Sequence, residues 1–201
     1  MAEVHKITPE QADTVALTLA SAFSEDPLMA WMMPAPGFFD RRRRFFLLEI
    51  RSNFRTGKQD MYVTADGHGV ALWSPPGKWR LPPLEILKSG PDMLRVFGRR
   101  TVRALRTLSA VEGRHPHDEH WYLAVLGTHA DHRGKGRGGE VMAPILRRCD
   151  EEGVPAYLES SNPRNIPFYV RQGFEPLEPI HVTPDAPVIT PMRREPRPPE
   201  R

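Results

Sequence analysis

The chain has a single cysteine, Cys149, so no internal disulfide holds it together. That thiol closes the stretch 143–149, which suits a helix packed on a core. Nothing nearby in the sequence would lower its pKa, so a cysteine nucleophile is set aside. No run approaches the eighteen or so apolar residues that a membrane span needs. Residues 1–9 carry acid and histidine in place of an apolar signal core, so no secretion signal is read and the expected location is cytoplasmic. The net charge of +3 is modest. The basic residues fall in separate clusters at 41–44, 99–106 and 133–137, without interleaved aromatics or a recognition motif, which argues against nucleic acid as the partner. One histidine cluster resembles a ligand set: His115, His117 and His120, around Pro116 and Asp118. Their spacing matches no standard zinc site, so a histidine-rich turn is read there and no metal is expected.

What is present suits one well-buried core: 201 residues, 39% hydrophobic and 26% charged. Residues 4–8 read as a strand and 9–24 as a helix, with Val15, Ala16, Leu19, Ala20 and Phe23 at helical spacing. Asp26-Pro27 breaks that helix, and 28–33 is an apolar segment suited to a lid or to core. A helix over 38–55 follows, its arginine run read as a solvated face. Strands are expected at 61–63 and 69–73 around Asp66-Gly67. Helical stretches follow at 84–97 and 99–111, with Pro91 and Gly98 as interruptions. The strongest strand candidate is 120–128, where Gly127 is read as a bulge or bend. A helix over 138–152, a strand over 154–159 and a short helix over 165–172 closed by Gly173 come next. Two final strands are expected between Ile180 and Met192. The proline- and charge-rich end, from Arg193 on, reads as a disordered tail. The fold class is α/β with a mixed sheet, in one domain over 1–194 followed by a tail over 195–201.

Between the 120–128 strand and the next helix stands Arg133-Gly134-Lys135-Gly136-Arg137-Gly138. Glycines before a helix expose unpaired backbone N–H groups and the positive end of the macrodipole, a setting for a pyrophosphate. The spacing Gly134, Gly136, Gly139 also fits a dinucleotide fingerprint, with Glu159 twenty residues on. That fingerprint begins directly at the strand's end, however, whereas here 128–133 intervene and too little chain follows for the remaining strands. A P-loop is excluded because Gly134-Lys135 is followed by Gly136, and His129 stands where its first glycine belongs.

The run from Leu126-Gly127-Thr128 through Asp131 to Gly138 resembles the signature of the GCN5-related N-acetyltransferase superfamily: Arg or Gln, two residues, Gly, one residue, then Gly or Ala. Residues 154–160, then Asn162 to Tyr169 with Gly173-Phe174, are similar to the puromycin N-acetyltransferase group within it. The likeness is dense from His120 to Phe174 and thinner before.

The resemblance implies acetyl-CoA as co-substrate and a mostly antiparallel, twisted sheet splayed at the cofactor site and flanked by helices. It implies that Leu126, Gly127 and Thr128 hold the pantetheine arm. The Leu126 N–H would stabilise the oxyanion of the tetrahedral intermediate, an effect of roughly 3 kcal/mol in other enzymes. Arg133, Gly134, Lys135, Gly136, Arg137 and Gly138 would hold the pyrophosphate. Asn165 would bond the arm while Asn162 caps the helix, and Tyr169 would be the general acid toward the thiolate. An amine attacks only when neutral, so a base is needed. Glu159 is the first choice, with His120, Tyr122 and Glu119 as alternatives. The acceptor pocket is expected from 26–33, Trp73 and the helices between 84 and 111, with Asp26, Trp31 and Trp73 as contacts. The acceptor is expected to be a primary amine of a small molecule, an antibiotic or aminonucleoside in character, attacking directly in a ternary complex. A protein amine as acceptor and a non-enzymatic acyl-CoA-binding regulator are the alternatives, and the chain is expected to be a monomer or homodimer.

Overall fold

A computed structural model describes residues 3–58, 60–80 and 82–197. The chain runs β1 (Val4–Lys6), α1 (Ala12–Ala22), α2 (Pro27–Met32), α3 (Phe38–Arg55), β2 (Met61–Thr64), β3 (Gly69–Ser74), α4 (Pro83–Phe97), α5 (Thr101–Glu112), β4 (Trp121–Thr128), α6 (Arg137–Glu152), β5 (Ala156–Ser160), α7 (Ile166–Arg171), β6 (Glu175–Pro176) and β7 (Thr190–Arg194). The strands form one sheet in the order β1-β2-β3-β4-β5-β7-β6. Every pairing is antiparallel except β4 with β5, so the expected mixed, mostly antiparallel sheet is found.

The central strand β3 is buried at all six positions, because both faces of the sheet are covered. On one face α1 lays Val15, Ala16 and Leu19 against Phe46 and Ile50 of α3 and Val70, Leu72 and Val125 of the sheet. On the other, Val141, Met142, Ile145 and Cys149 of α6 pack on Trp73, Trp121, Leu123 and Leu158. Those α6 positions recur at three- and four-residue intervals, as one buried helix face demands.

Four local expectations change. The segment after Asp26 is the helix α2, because the Asp26 carboxylate accepts from the Met29 N–H at 2.8 Å and Pro27 starts the first turn. Pro91 does not interrupt α4. The carbonyl it frees is that of Leu87, whose side chain is 75% exposed and leaves room for water, and the break comes instead at Gly98, with φ +50°. The arginine run of α3 is a solvated face only in part: Arg43 and Arg44 make exposed ion pairs with Asp13 and Asp92, whereas Arg41 and Arg42 turn to the protein. Arg42 is buried and stacks on Phe38 at 4.0 Å, while Arg41 donates to the carbonyls of Arg95 and Val96 and ties α3 to α4. The final region has one strand in place of two: β7 sits between β5 and β6, and Ile180 makes only an isolated bridge to Ile189.

The chain end is also tied down further than expected. Arg193 and Arg194 belong to β7, buried Arg194 grips Asp150 of α6 through two 2.8 Å bonds, and the Arg197 N–H donates to the same carboxylate at 2.7 Å. Residues 198–201 of the expected tail lie outside the described residues, as do residues 1–2.

β4 carries the irregularity that matters most. Leu72 pairs with Val125 and Trp73 with Leu123, leaving Ala124 as an extra residue on β4. This is a β-bulge, and it reverses which way the strand's backbone groups point. Before it, the Trp121 N–H donates to Pro155 on the β5 side. After it, the His129 N–H donates to His68 on the β3 side. The period of two therefore turns the N–H groups of Leu126 and Thr128 away from β3. The bulge lies at Ala124 and not at Gly127.

Candidate active site

Parallel pairing between β4 and β5 ends at Leu123 with Leu158, after which β5 continues with β7 alone. Leu126 and Thr128 thus turn their N–H groups to an open gap on either side of Gly127. Gly127 is required there for packing: a Cβ would come within 2.8 Å of Leu19 and 2.9 Å of Ala22 on α1.

A groove of about 600 Å³ runs from this gap to the start of α6. Gly134 and Gly136, with φ of +75° and +80°, turn the chain into that helix. Its first intrahelical bond is Glu140 N–H to Gly136, so the N–H groups of 137–139 remain for a ligand. Gly138 also lets α6 approach α7, since a Cβ would meet Phe168 at 3.1 Å.

The structure brings Leu126, Gly127, Thr128, Arg133, Gly134, Gly136, Arg137, Gly138, Asn165 and Tyr169 to this one groove. Lys135 is not among its lining residues, because the exposed turn between the two left-handed glycines carries it outward. The charge is also distributed differently from the expectation. Arg133 is held by Glu25 at 3.1 Å and by the Ala22 carbonyl at 2.8 Å, and Arg137 by Asp66 and Glu140. Arg164 and Arg171 line the groove too, and among the described residues neither has an ion-pair partner. They escaped the sequence reading because they flank the motif residues Asn165 and Tyr169 without belonging to the glycine loop. Asn162 caps the turn by accepting from the Arg164 N–H at 3.1 Å, while the Asn165 side chain makes no cap bond and stays on the groove wall.

A second cavity, of about 290 Å³, opens on the other side of the same wall. Phe23, Leu126, Asn165 and Tyr169 line both spaces. The cavity is walled by Met29 and Met32 of α2, Phe45 of α3, Trp79, and Thr107 and Val111 of α5. The expected acceptor contacts are not brought there. Trp73 is fully buried beneath α6 as core. Trp31 turns outward, its indole bonding Asp185 at 3.4 Å under Arg103. Asp26 lies on the groove side with both oxygens engaged, one capping α2 and the other accepting from Ser161 at 2.5 Å.

Two acids and a lysine line the cavity instead: Glu49, Glu159 and Lys58. Burial raises the Glu49 carboxyl pKa and Lys58 opposes the rise, while the buried Lys58 ammonium donates to the Trp79 carbonyl at 3.1 Å. Sequence reasoning missed Glu49 because one acid in a helix carries no signal of where it points. Glu159 meets His115 Nδ1 at 3.2 Å. The Tyr122 hydroxyl is held protonated first by burial and then by the charge of Glu159. Glu119, an alternative base, is exposed. Burial, followed by the charge of Asp26, raises the Tyr169 pKa, so this phenol carries its proton at neutral pH. Among the described residues no group of three His, Cys, Asp or Glu is placed to hold a metal ion.

The site thus combines a bulged, splayed strand pair, a glycine turn feeding a helix N-terminus and a tyrosine between two cavities. The acetyltransferase (GNAT) family matches residues 73–174, just over half of the chain, and the chain belongs to that family and is an acetyltransferase. It is 29% identical over 182 residues to an uncharacterized N-acetyltransferase of Schizosaccharomyces pombe, covering 85% of this chain and 73% of that one. Among solved structures it is similar to a histone acetyltransferase HPA2 and related acetyltransferase of Corynebacterium glutamicum, at 26% identity and TM-score 0.73 with both chains fully covered. It shares its fold with the polyamine N-acetyltransferase of Drosophila melanogaster, at 16% identity and TM-score 0.64, over 97% of this chain and 100% of that one.

Proposed function

We propose that the chain moves an acetyl group from acetyl-CoA to a primary amine of a small molecule by direct attack, with both substrates bound together. The observation that carries this reading is the pair of cavities meeting at Leu126 and Tyr169. The residues present suit the cofactor: N–H groups at 137–139 for a pyrophosphate, outward N–H groups at Leu126 and Thr128 for a pantetheine arm, and Arg164 and Arg171, without ion-pair partners among the described residues, for further anionic groups. Bound acetyl-CoA supplies the activated acetyl thioester.

The chain's own residues do the rest. The Leu126 N–H donates to the carbonyl oxygen where negative charge grows. Tyr169 holds a proton for the leaving sulfur, and Glu159 takes the proton that an acceptor ammonium must lose. The cavity is narrow and apolar with two carboxyls against one ammonium, which favours an amine on a short apolar body carrying a second cationic group for Glu49. Neighbours described as polyamine and agmatine N-acetyltransferases share the fold and fit that expectation.

Free-CoA release measured over a panel of diamines, matched monoamines, puromycin, aminoglycosides and a lysine peptide tests the reading. Release with small amines, and a KM for diamines raised about tenfold or more by Glu49→Gln, is expected. Turnover of the peptide alone points to a protein amine. Tight acetyl-CoA binding without release by any amine points to a non-catalytic binder. Either result overturns the proposal.

A further inference from the structure

Behind Glu159 lies a chain of buried groups that the reaction as described leaves unused. His115 Nδ1 lies 3.2 Å from Glu159 Oε1, His115 Nε2 lies 2.9 Å from His120 Nε2, and His120 Nδ1 lies 2.8 Å from the Asp118 carbonyl oxygen. The histidines are 3% and 2% exposed, and Trp79 stacks on His115 at 3.7 Å.

The tautomers follow from the far end of this chain. A backbone carbonyl only accepts, so His120 must carry its proton on Nδ1. Burial lowers the His120 pKa and keeps the ring neutral, which leaves its Nε2 as an acceptor. His115 then has to donate from Nε2 to fill the 2.9 Å contact. In its neutral form, His115 is left with a bare Nδ1 lone pair aimed at Glu159. Two acceptors face each other at 3.2 Å unless one proton sits between them.

We propose that His115 is the terminal proton acceptor behind Glu159, and that His120 is a positioning residue which sets the His115 tautomer through the Asp118 carbonyl. This rests on the reading of Glu159 as the group that deprotonates the acceptor. The step balances simply. An ammonium N–H bond breaks and its electron pair stays on nitrogen as the nucleophile. A Glu159 O–H bond forms and the proton passes on to His115 Nδ1. The loaded pair is electrically neutral as a whole, whereas the unloaded pair is a carboxylate against a lone pair, so the 3.2 Å contact leaves a place for one proton between the two groups. The groups that face the chain are Tyr122 and Tyr157 beside Glu159, Glu49 beyond Tyr122, and Asp118 with its partner Arg193 beside His120.

The tests are ¹⁵N NMR of the histidine rings and the pH profile of kcat/KM. His115 is expected to carry its fixed proton on Nε2, with Nδ1 bare or sharing the proton held with Glu159. In His120→Phe, His115 becomes free to donate from Nδ1 to the Glu159 carboxylate, so the acid limb of kcat/KM moves down by about one unit or more. In His115→Gln the amide donates to Glu159 and the limb moves the same way. A His115 that holds its proton on Nδ1 at every pH, with an acid limb unmoved in both variants, overturns the proposal. The NMR signature needs no turnover. If no amine releases CoA, the functional reading fails while the tautomer still decides whether the chain is wired as described.

Discussion

Tyr169 stands where the two cavities share a wall, with its pKa raised by burial and by Asp26, so it is a proton donor across the neutral range. Tyr169→Phe keeps the ring and removes the proton. The expected result is a kcat lowered about a hundredfold or more with the Kd for acetyl-CoA little changed, read by steady-state kinetics and titration calorimetry. Cys149 is the opposite case. It is fully buried on the inner face of α6, and burial pushes its thiol up to about 12. The folded protein should therefore resist thiol reagents at pH 8 and react with one equivalent once denatured, which an absorbance assay follows. Single residues were legible where a motif constrained them: Asn162 as cap, and Leu126, Asn165 and Tyr169 on one groove. They were illegible where a role depends on direction. Asp26, Trp31 and Trp73 have the right chemistry for an amine, yet capping, an outward turn and core packing claim them, while Glu49 reaches the cavity, and His115 the buried side of Glu159, from segments without a signature.

At the scale of elements, the strands and long helices followed from periodicity, because each buries one face. The bulge at Ala124 did not, since an extra residue in a strand needs no special side chain. Gly127 drew attention as the glycine of β4, but its reason is the approach of α1. Gly127→Ala sets a methyl group against Leu19 and Ala22 and should lower stability by ~1–3 kcal/mol, seen as a reduced Tm. The loss should come with weaker acetyl-CoA binding, because the same shift moves the flanking N–H groups of Leu126 and Thr128. Pro91 shows the converse limit. A proline ends a helix only where the freed carbonyl lacks another partner, and solvent serves α4 there.

Across the whole molecule, the last strand is fastened to α6 by Arg194 and Asp150. The guanidinium holds the Asp150 carboxyl below its usual range, so its folded pKa lies under its unfolded one. The resulting stability is present above the unfolded pKa and is lost as pH falls through the folded value. Asp150→Asn should cost ~2–3 kcal/mol at pH 7, less at pH 3, which urea melts at the two pH values resolve. The charge-rich end looked free in the sequence because the partner carboxylate lies 44 residues earlier, on another element.

The common wall of the two cavities has a practical consequence. Leu126 and Tyr169 line both spaces, so on the proposed reading donor groove and acceptor cavity are two arms of one bent trench. A compound joining an acceptor-like amine to a pantetheine thioether by a linker of one or two atoms can occupy both arms at once. Its second arm would bind at an effective concentration in the millimolar range, which makes such a conjugate the natural starting point for an inhibitor.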